Sequence, residues 1–199
     1  MSKHSDELYG GLLSVTEILK EAGIAVFFGD NTEAKERGTN VHLACDLDDA
    51  GNLDEATLLP EYLPYLEQWR GWKKLTGAVI EKTELRLVSE KYGFGGTLDN
   101  ILSFGGVRYL CDKKTGGDYR STAIQTAGYN ILYRENFPKE KPLKRISVIL
   151  NPKFKAAKVV FYKNDARNEV VFNAARLYVQ SAKTDMAMLE IIQKWKEEK

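Results

Sequence analysis

Residues 95–116 read GGTLDNILSFGGVRYLCDKKTG, and this stretch decides the fold. It predicts two short strands joined by a turn at residues 103–106, Ser-Phe-Gly-Gly. Side chains alternate between the two faces of a strand, so Asp112 and Lys114 should share a face while Lys113 points away. A tight pairing of the strands would bring Asp99 close to Asp112 on that face.

This hairpin carries the residue types of a metal site. Two carboxylates placed together repel each other unless a cation lies between them, and a hard divalent ion such as Mg²⁺ prefers oxygen ligands. A lysine beside that ion could orient, or deprotonate, a water aimed at phosphate. The alternative is an exposed hairpin with charged residues on its solvent side, and a D-x-K sequence alone would favour that alternative.

Two predicted helices flank the hairpin in sequence. In the first, about residues 33–48, Gly38 and His42 are four apart and lie one above the other on a helix face. Gly38 would allow close approach of another backbone, and His42 would project beside it, although an isolated histidine on such a helix is usually structural. The second helix, about residues 121–135, places three side chains on one face at intervals of four: Gln125, Tyr129 and Tyr133.

Four short motifs follow one another along the chain: R-G-x-x-x-H ending at His42, G-T-x-D ending at Asp99, D-x-K-T-G from Asp112, and Q-x-x-x-Y from Gln125. Their order resembles the nuclease core of the PD-(D/E)XK superfamily, in its RecB-like exonuclease branch, over roughly residues 12–180. Leu98 stands where the superfamily name has Pro, which is usual in this branch. The resemblance implies an α/β fold with a restriction-endonuclease-like core, in which helices flank a central mixed β-sheet.

The resemblance also implies roles for individual residues. The implied ligands of one or two Mg²⁺ or Mn²⁺ ions are His42, Asp99, Asp112 and the backbone carbonyl of Lys113. A histidine nitrogen beside carboxylates would also suit Mn²⁺. Lys114 would orient the attacking water, and Gln125 and Tyr129 would position the DNA strand. Glu84 lies where relatives often keep a glutamate that assists the site, but an exposed strand carboxylate is an equally good interpretation.

The implied activity is metal-dependent hydrolysis of DNA phosphodiester bonds, most simply by an exonuclease acting on DNA ends in recombination, repair or phage DNA processing. The alternatives are a structure-specific endonuclease of the same fold and a non-catalytic DNA-binding subunit. Intact Asp99, Asp112 and Lys114 argue against the non-catalytic subunit. The expected partners are DNA and either further copies of the chain or a separate helicase or recombination protein. A cofactor-binding enzyme is disfavoured because the glycines at 93, 95 and 96 precede a strand and open no helix.

Charge is unevenly distributed along the chain, although the net charge is only +1. Between residues 138 and 164 a single acid, Glu140, faces eight basic residues: Lys139, Lys141, Lys144, Arg145, Lys153, Lys155, Lys158 and Lys163. A one-sided basic segment could follow a phosphate backbone, and Lys139, Lys141, Lys144 and Arg145 are the candidate contacts. The alternative is a solvated strand pair with lysines on its outer face.

Bulk composition predicts a soluble protein. With 199 residues, 43% hydrophobic and 29% charged, the chain fits one domain over residues 1–199. It contains no apolar run of about 20 residues and no secretion signal, so we expect no membrane association and a cytoplasmic location, in a bacterium or a phage-infected cell. Its two cysteines, Cys45 and Cys111, cannot supply the four ligands of an ordinary Fe–S cluster.

The rest of the chain predicts elements that surround the hairpin. Ser14 and Glu17 form a capping box for a short helix ending near residue 22. Residues 54–76 should be mostly helical, with Leu63, Leu66, Trp69 and Trp72 on a packing face. Strands are predicted over about 83–89, 145–150 and 157–162, and a long helix over 165–196.

Overall fold

The computed structural model describes residues 9–24, 32–117, 119–163 and 165–197. These residues form five α-helices: α1 (Val15–Glu21), α2 (Thr32–Asp49), α3 (Leu63–Thr76), α4 (Arg120–Asn136) and α5 (Asp165–Glu197). They form six strands: β1 (Leu13–Ser14), β2 (Val79–Ser89), β3 (Phe94–Phe104), β4 (Val107–Lys114), β5 (Lys144–Ile149) and β6 (Lys158–Tyr162). Among them, no helix is both long enough and apolar enough to cross a membrane.

The predicted hairpin is the centre of the sheet. β3 and β4 pair antiparallel around a two-residue turn, Gly105-Gly106, whose φ angles are +57° and +71°. Such turns match the twist of the strands and need positive φ at both positions, which glycine adopts without strain. Outward from β4 the sheet continues with β5, parallel to β4, and then β6, antiparallel to β5.

The other edge of β3 carries β2, which is longer than the sequence predicted. β2 runs antiparallel to β3 from Val79, four residues before the predicted start, and a register irregularity at residues 80–82 interrupts the pairing. β1 pairs parallel with the first residues of β3. The result is a six-stranded mixed sheet.

Helices cover both faces of this sheet. One hydrophobic cluster joins the sheet to α1, α4 and α5, and includes Ile18, Leu98, Leu132 and Phe172. The opposite cluster joins it to α2 and α3, and includes Val41, Trp69, Cys111 and Val148. The expected α/β architecture, a central mixed sheet flanked by helices, is confirmed.

The predicted start of α1 is confirmed, whereas the helix predicted from residue 54 begins later. The capping box is present: the Ser14 hydroxyl accepts from the Glu17 N–H at 3.1 Å, and the Ser14 N–H donates to the Glu17 carboxylate at 2.8 Å. The predicted helix over residues 54–76 is shorter, because only a 3₁₀ turn (Glu55–Thr57) precedes α3, which has Pro64 in its first turn. Leu63, at the start of α3, is 36% exposed, whereas the predicted packing residues Leu66, Trp69 and Trp72 are buried.

The contact between α4 and α5 depends on a glycine. A Cβ on Gly128 would lie 2.7–2.9 Å from ring carbons of Phe172, whereas a Cβ on Gly71 of α3 would meet no atom within 4 Å. We expect Gly128→Ala to lower the free energy of unfolding by about 1–3 kcal/mol through overpacking. The matched change Gly71→Ala should be neutral or stabilise by up to about 1 kcal/mol. Urea unfolding of both variants measures this, and equal effects would contradict the packing described.

Candidate active site

The site lies where the hairpin ladder ends. β4 pairs with β3 only as far as Asn100 opposite Cys111, and β1 pairs with β3 only as far as Gly95. One residue beyond the ladder, Asp99 Oδ2 accepts the Lys113 backbone N–H at 2.8 Å. A side chain thus takes the place of a main-chain acceptor, and this fixes the Asp99 carboxylate beside the end of β4.

Three side chains from three elements converge at this point. His42 of α2, Glu84 of β2 and Asp99 of β3 each offer a ligand atom, and these atoms lie within 4.8 Å of one another. His42 Nδ1 is 3.5 Å from Asp99 Oδ2. Burial, and then the charge of Asp99, raise the pKa of Glu84 to about 7. Acids this close together are therefore held against their mutual repulsion.

Glu84 has an unusual backbone for a strand residue. Its φ is +48°, the left-handed region that non-glycine residues rarely adopt. Such strained residues cluster at functional sites, where the surrounding structure holds them in place. The geometry therefore favours a site role for Glu84 over that of an ordinary exposed strand carboxylate.

Asp112 and Lys114 meet on one face, as strand alternation predicted. The Lys114 ammonium donates to Asp112 Oδ1 at 3.0 Å and lies 2.9 Å from Oδ2. Burial raises the pKa of Asp112 to about 6, although the neighbouring Lys114 charge acts in the opposite direction. Burial alone would lower the pKa of Lys114, but Asp112 and Asp99 outweigh it and raise that pKa. Lys114 is therefore an ammonium at neutral pH.

A hydrogen-bonded chain connects Lys114 to α4. Lys114 donates to Gln125 Oε1 at 3.2 Å, and Gln125 Nε2 donates to the Tyr129 hydroxyl at 3.1 Å. The same amide nitrogen lies 3.4 Å from the Thr16 hydroxyl of α1, a contact that the sequence did not suggest. The Tyr129 ring packs against Gly96, where a Cβ would lie 2.8 Å from a ring carbon. Gln125 and Tyr129 are thus held rigidly beside the lysine.

Lys113 points away from this group, as predicted, and ends in a different environment. Its ammonium is fully buried, forms an ion pair with Asp46 of α2 and lies 5.3 Å from the centre of the Trp69 ring. Asp99 and Asp46 raise the pKa of Lys113 despite its burial, so the ammonium stays charged. The sequence offered no partner for this side chain, because Asp46 is 67 residues away. The role of its backbone carbonyl as a metal ligand stays a prediction.

The residues present fit a hard divalent cation. His42, Glu84 and Asp99 offer one imidazole nitrogen and two carboxylate oxygens, a donor set that Mg²⁺ or Mn²⁺ accepts. Asp112 is not part of this group of three, and its place among the ligands stays a prediction. Asp112 Oδ2 is buried and accepts no hydrogen bond from the described residues. The Lys114 ammonium lies 2.9 Å from this oxygen as an ion-pair partner. A divalent cation bound by His42, Glu84 and Asp99 would relieve the repulsion between the two acids.

The structure does not bring the predicted DNA-contacting cations to this site. Lys144 lies opposite Tyr109, whereas Asp112 lies opposite Ser147, three residues or about 10 Å further along the sheet. Lys139 and Lys141 are exposed in the segment before β5, beyond Lys144. These three lysines therefore lie towards one end of the sheet, and His42, Glu84 and Asp99 lie towards the other end.

Two predictions from the sequence were wrong. Arg145 is 1% exposed, and its guanidinium donates to the Ala123 carbonyl and to the Thr126 hydroxyl, so it cannot contact a phosphate backbone. Its position in the apolar run RISVIL was the signal for burial, since a strand covered on both faces exposes few side chains. The second is Gly38: among the described residues, a Cβ there would meet only the Thr115 hydroxyl, at 3.7 Å, and no backbone atom from outside its own helix within 4 Å.

One solved structure has a similar fold. A crystal structure from Eubacterium rectale, named "Putative exonuclease", has a TM-score of 0.51 at 13% identity, covering 96% of this chain and 83% of that one. The two chains share a fold. A second structure, SSO0001, covers 83% of this chain at 16% identity, and its TM-score of 0.36 carries no argument. No protein-family model and no curated protein sequence matches this chain.

A variant of Glu84 tests the acidic group. We expect Glu84→Gln to weaken Mn²⁺ binding about 10-fold or more, because one charged ligand is lost. Without metal the same variant should melt at a higher temperature than the wild type, because one of the crowded acids is removed. The matched control is Glu81→Gln on the same strand, whose carboxylate pairs with Arg108. Calorimetric titration with Mn²⁺ measures the affinities, and equal affinities for the two variants would exclude Glu84 from the site.

Proposed function

We propose that this protein is a metal-dependent deoxyribonuclease of the RecB-like branch of the PD-(D/E)XK superfamily. The observation that carries the proposal is the convergence of His42, Glu84 and Asp99 beside the Asp112–Lys114 pair. Three of the four sequence motifs supply His42, Asp99 and the Asp112–Lys114 pair, and the fourth supplies Gln125 beside Lys114. The fold is shared with a chain named "Putative exonuclease". Because one fold hosts many reactions, the shared fold alone does not indicate an activity, and the residues of the site do.

One or two Mg²⁺ or Mn²⁺ ions would be held by His42, Asp99, Asp112 and the Lys113 carbonyl, with Glu84 as a further ligand. When bound, such an ion supplies Lewis-acid polarisation of a phosphoryl oxygen and makes water more acidic.

The side chains of this chain perform the remaining tasks. The Lys114 ammonium, fixed by Asp112 and Gln125, can donate to a phosphate oxygen and offset the negative charge that grows in the transition state. Lys114 would also orient the attacking water. Gln125 accepts a hydrogen bond from that ammonium and donates one to the Tyr129 hydroxyl, so the two residues position Lys114.

The reaction is most simply exonucleolytic digestion from a DNA end, in recombination, repair or phage DNA processing. Incubating the protein and Mn²⁺ with end-labelled linear DNA and with covalently closed circles tests this. We expect the linear DNA to be degraded, the circles to stay intact, and EDTA to stop the reaction. Cleaved circles would indicate an endonuclease of the same fold. Binding of DNA without cleavage of either substrate, unaffected by EDTA, would indicate a non-catalytic subunit.

A further inference from the structure

The loop between β5 and β6, residues 150–157, lies at the end of the sheet where His42, Glu84 and Asp99 converge. β4 and β5 are parallel, and Lys114 lies opposite Ile149, the last residue of β5. The Leu150 N–H donates to the Lys114 carbonyl at 2.7 Å, and the Asn151 side chain donates to the Gly116 carbonyl at 3.2 Å. The base of the loop is therefore fixed directly to the strand end that carries Lys114.

A second set of hydrogen bonds fixes the loop to α3. The Gln68 amide donates to the carbonyls of Asn151 and Phe154, at 2.8 and 2.7 Å, and accepts the Asn151 N–H at 2.7 Å. The Asn151 side chain also accepts the Lys153 N–H at 3.0 Å. The backbone of the loop is thus held in one arrangement, and little conformational freedom remains to be lost when a ligand binds it.

The side chains on this fixed loop point outward and are basic and aromatic. Lys153, Phe154 and Lys155 are all exposed, and the Phe154 ring is 48% exposed. Lys158, which begins β6, is exposed as well. No acid occurs between residues 141 and 163, and none of these lysines forms an ion pair within the described parts of the chain. An exposed phenylalanine between two cations combines the groups that recognise bases and phosphates in single-stranded nucleic acid.

We propose that this loop binds the single-stranded part of a DNA substrate beside the active site. Lys153 and Lys155 contact backbone phosphates, and Phe154 stacks on an unpaired base. The proposal rests on the proposed nuclease function and adds to it a strand preference: the DNA next to the scissile bond on the β5–β6 side is unpaired. Within the basic segment, residues 138–164, the candidate DNA contacts are therefore Lys153 and Lys155. These two lysines follow β5 at the end of the sheet where Lys114 lies, whereas Lys139, Lys141 and Lys144 lie towards the other end.

The chain provides matched controls for a binding experiment. Lys153→Ala/Lys155→Ala removes two charges from the loop, and Lys139→Ala/Lys141→Ala removes the same two charges from the other end of the sheet. Phe154→Ala has a counterpart in Tyr178→Ala, an aromatic residue of α5 that is 65% exposed. All variants are made in full-length Asp112→Asn protein, which we expect to bind DNA without cleaving it. Fluorescence anisotropy with a single-stranded oligonucleotide and a blunt duplex, over a range of salt concentrations, gives the affinities.

We expect the Lys153/Lys155 variant to reduce the slope of log affinity against log salt by about 1.4 for the single strand, or 0.7 for each phosphate contact. Phe154→Ala should weaken single-strand binding about 10-fold and leave duplex binding within twofold. Both controls should stay within twofold of the parent. Loop variants equal to their controls, or an equal loss on the blunt duplex after Phe154→Ala, would overturn the proposal while leaving the nuclease function intact. If the wild-type chain neither binds nor cleaves DNA, the function itself is wrong and the loop proposal is overturned with it.

Discussion

Lys114→Ala should lower the rate of DNA cleavage by about 100- to 1,000-fold, the usual cost of removing one donor aimed at transition-state charge. The ammonium is held by Asp112 and Gln125 at 3.0 and 3.2 Å, and alanine would leave both of these partners without it. DNA affinity should change much less than the rate, because only one positive charge is lost. Single-turnover cleavage of labelled linear DNA with Mn²⁺ measures the rate.

The matching control must separate catalysis from folding. Lys114→Ala leaves Asp112 buried without its cation partner, so the melting temperature should be compared with Mn²⁺ present. We expect a folded variant that binds Mn²⁺ and DNA and cleaves only at the reduced rate. Cleavage at the wild-type rate would show that Lys114 has no part in the reaction.

The adjacent lysine should give the opposite result. Lys113→Ala is expected to destabilise the fold by about 3 kcal/mol or more, because it leaves Asp46 partly buried without its cation and opens a cavity beside Trp69. Whatever protein remains folded should retain most of its cleavage rate, since the Lys113 side chain points away from the site. Urea unfolding gives the stability, and the rate per folded molecule gives the activity.

A double variant distinguishes a structural ion pair from other causes. Lys113→Met with Asp46→Leu replaces the pair by apolar side chains, which is often neutral or stabilising for buried pairs. We therefore expect the double variant to be more stable than Lys113→Ala. In the double-mutant cycle it should lose less free energy of unfolding than the sum of the losses in Lys113→Met and Asp46→Leu alone. If Lys113→Ala instead folds as well as the wild type and loses its activity, the two lysines have been assigned the wrong way round.

Much of the fold could be predicted because its signals are local. Two glycines between alternating apolar stretches indicate a hairpin, and Ser14 with Glu17 indicates a helix start, without knowledge of distant contacts. The facing of Asp112 and Lys114 follows from strand geometry alone. The same alternation places Cys111 on the other face from Asp112, and Cys111 is buried.

The long-range contacts could not be predicted in this way. The Lys113–Asp46 pair depends on how α2 packs on the sheet, which no local pattern records. Glu84 has a left-handed backbone and lies between the paired residues Thr83 and Leu85 without a partner of its own on β3. A glutamate in an alternating stretch of sequence does not indicate this conformation. Arg145 was misread for the converse reason: its charge indicated an exposed site, but its apolar neighbours fix a buried one.

The most direct test is a crystal structure of the full chain soaked with Mn²⁺, using anomalous scattering to locate the ion. The account predicts an anomalous peak within coordination distance of Asp99, Asp112 and His42, with Glu84 turned towards it and the Lys114 ammonium nearby. Absence of a peak at this position at saturating Mn²⁺, or a peak bound only by other residues, would contradict a metal-dependent site here.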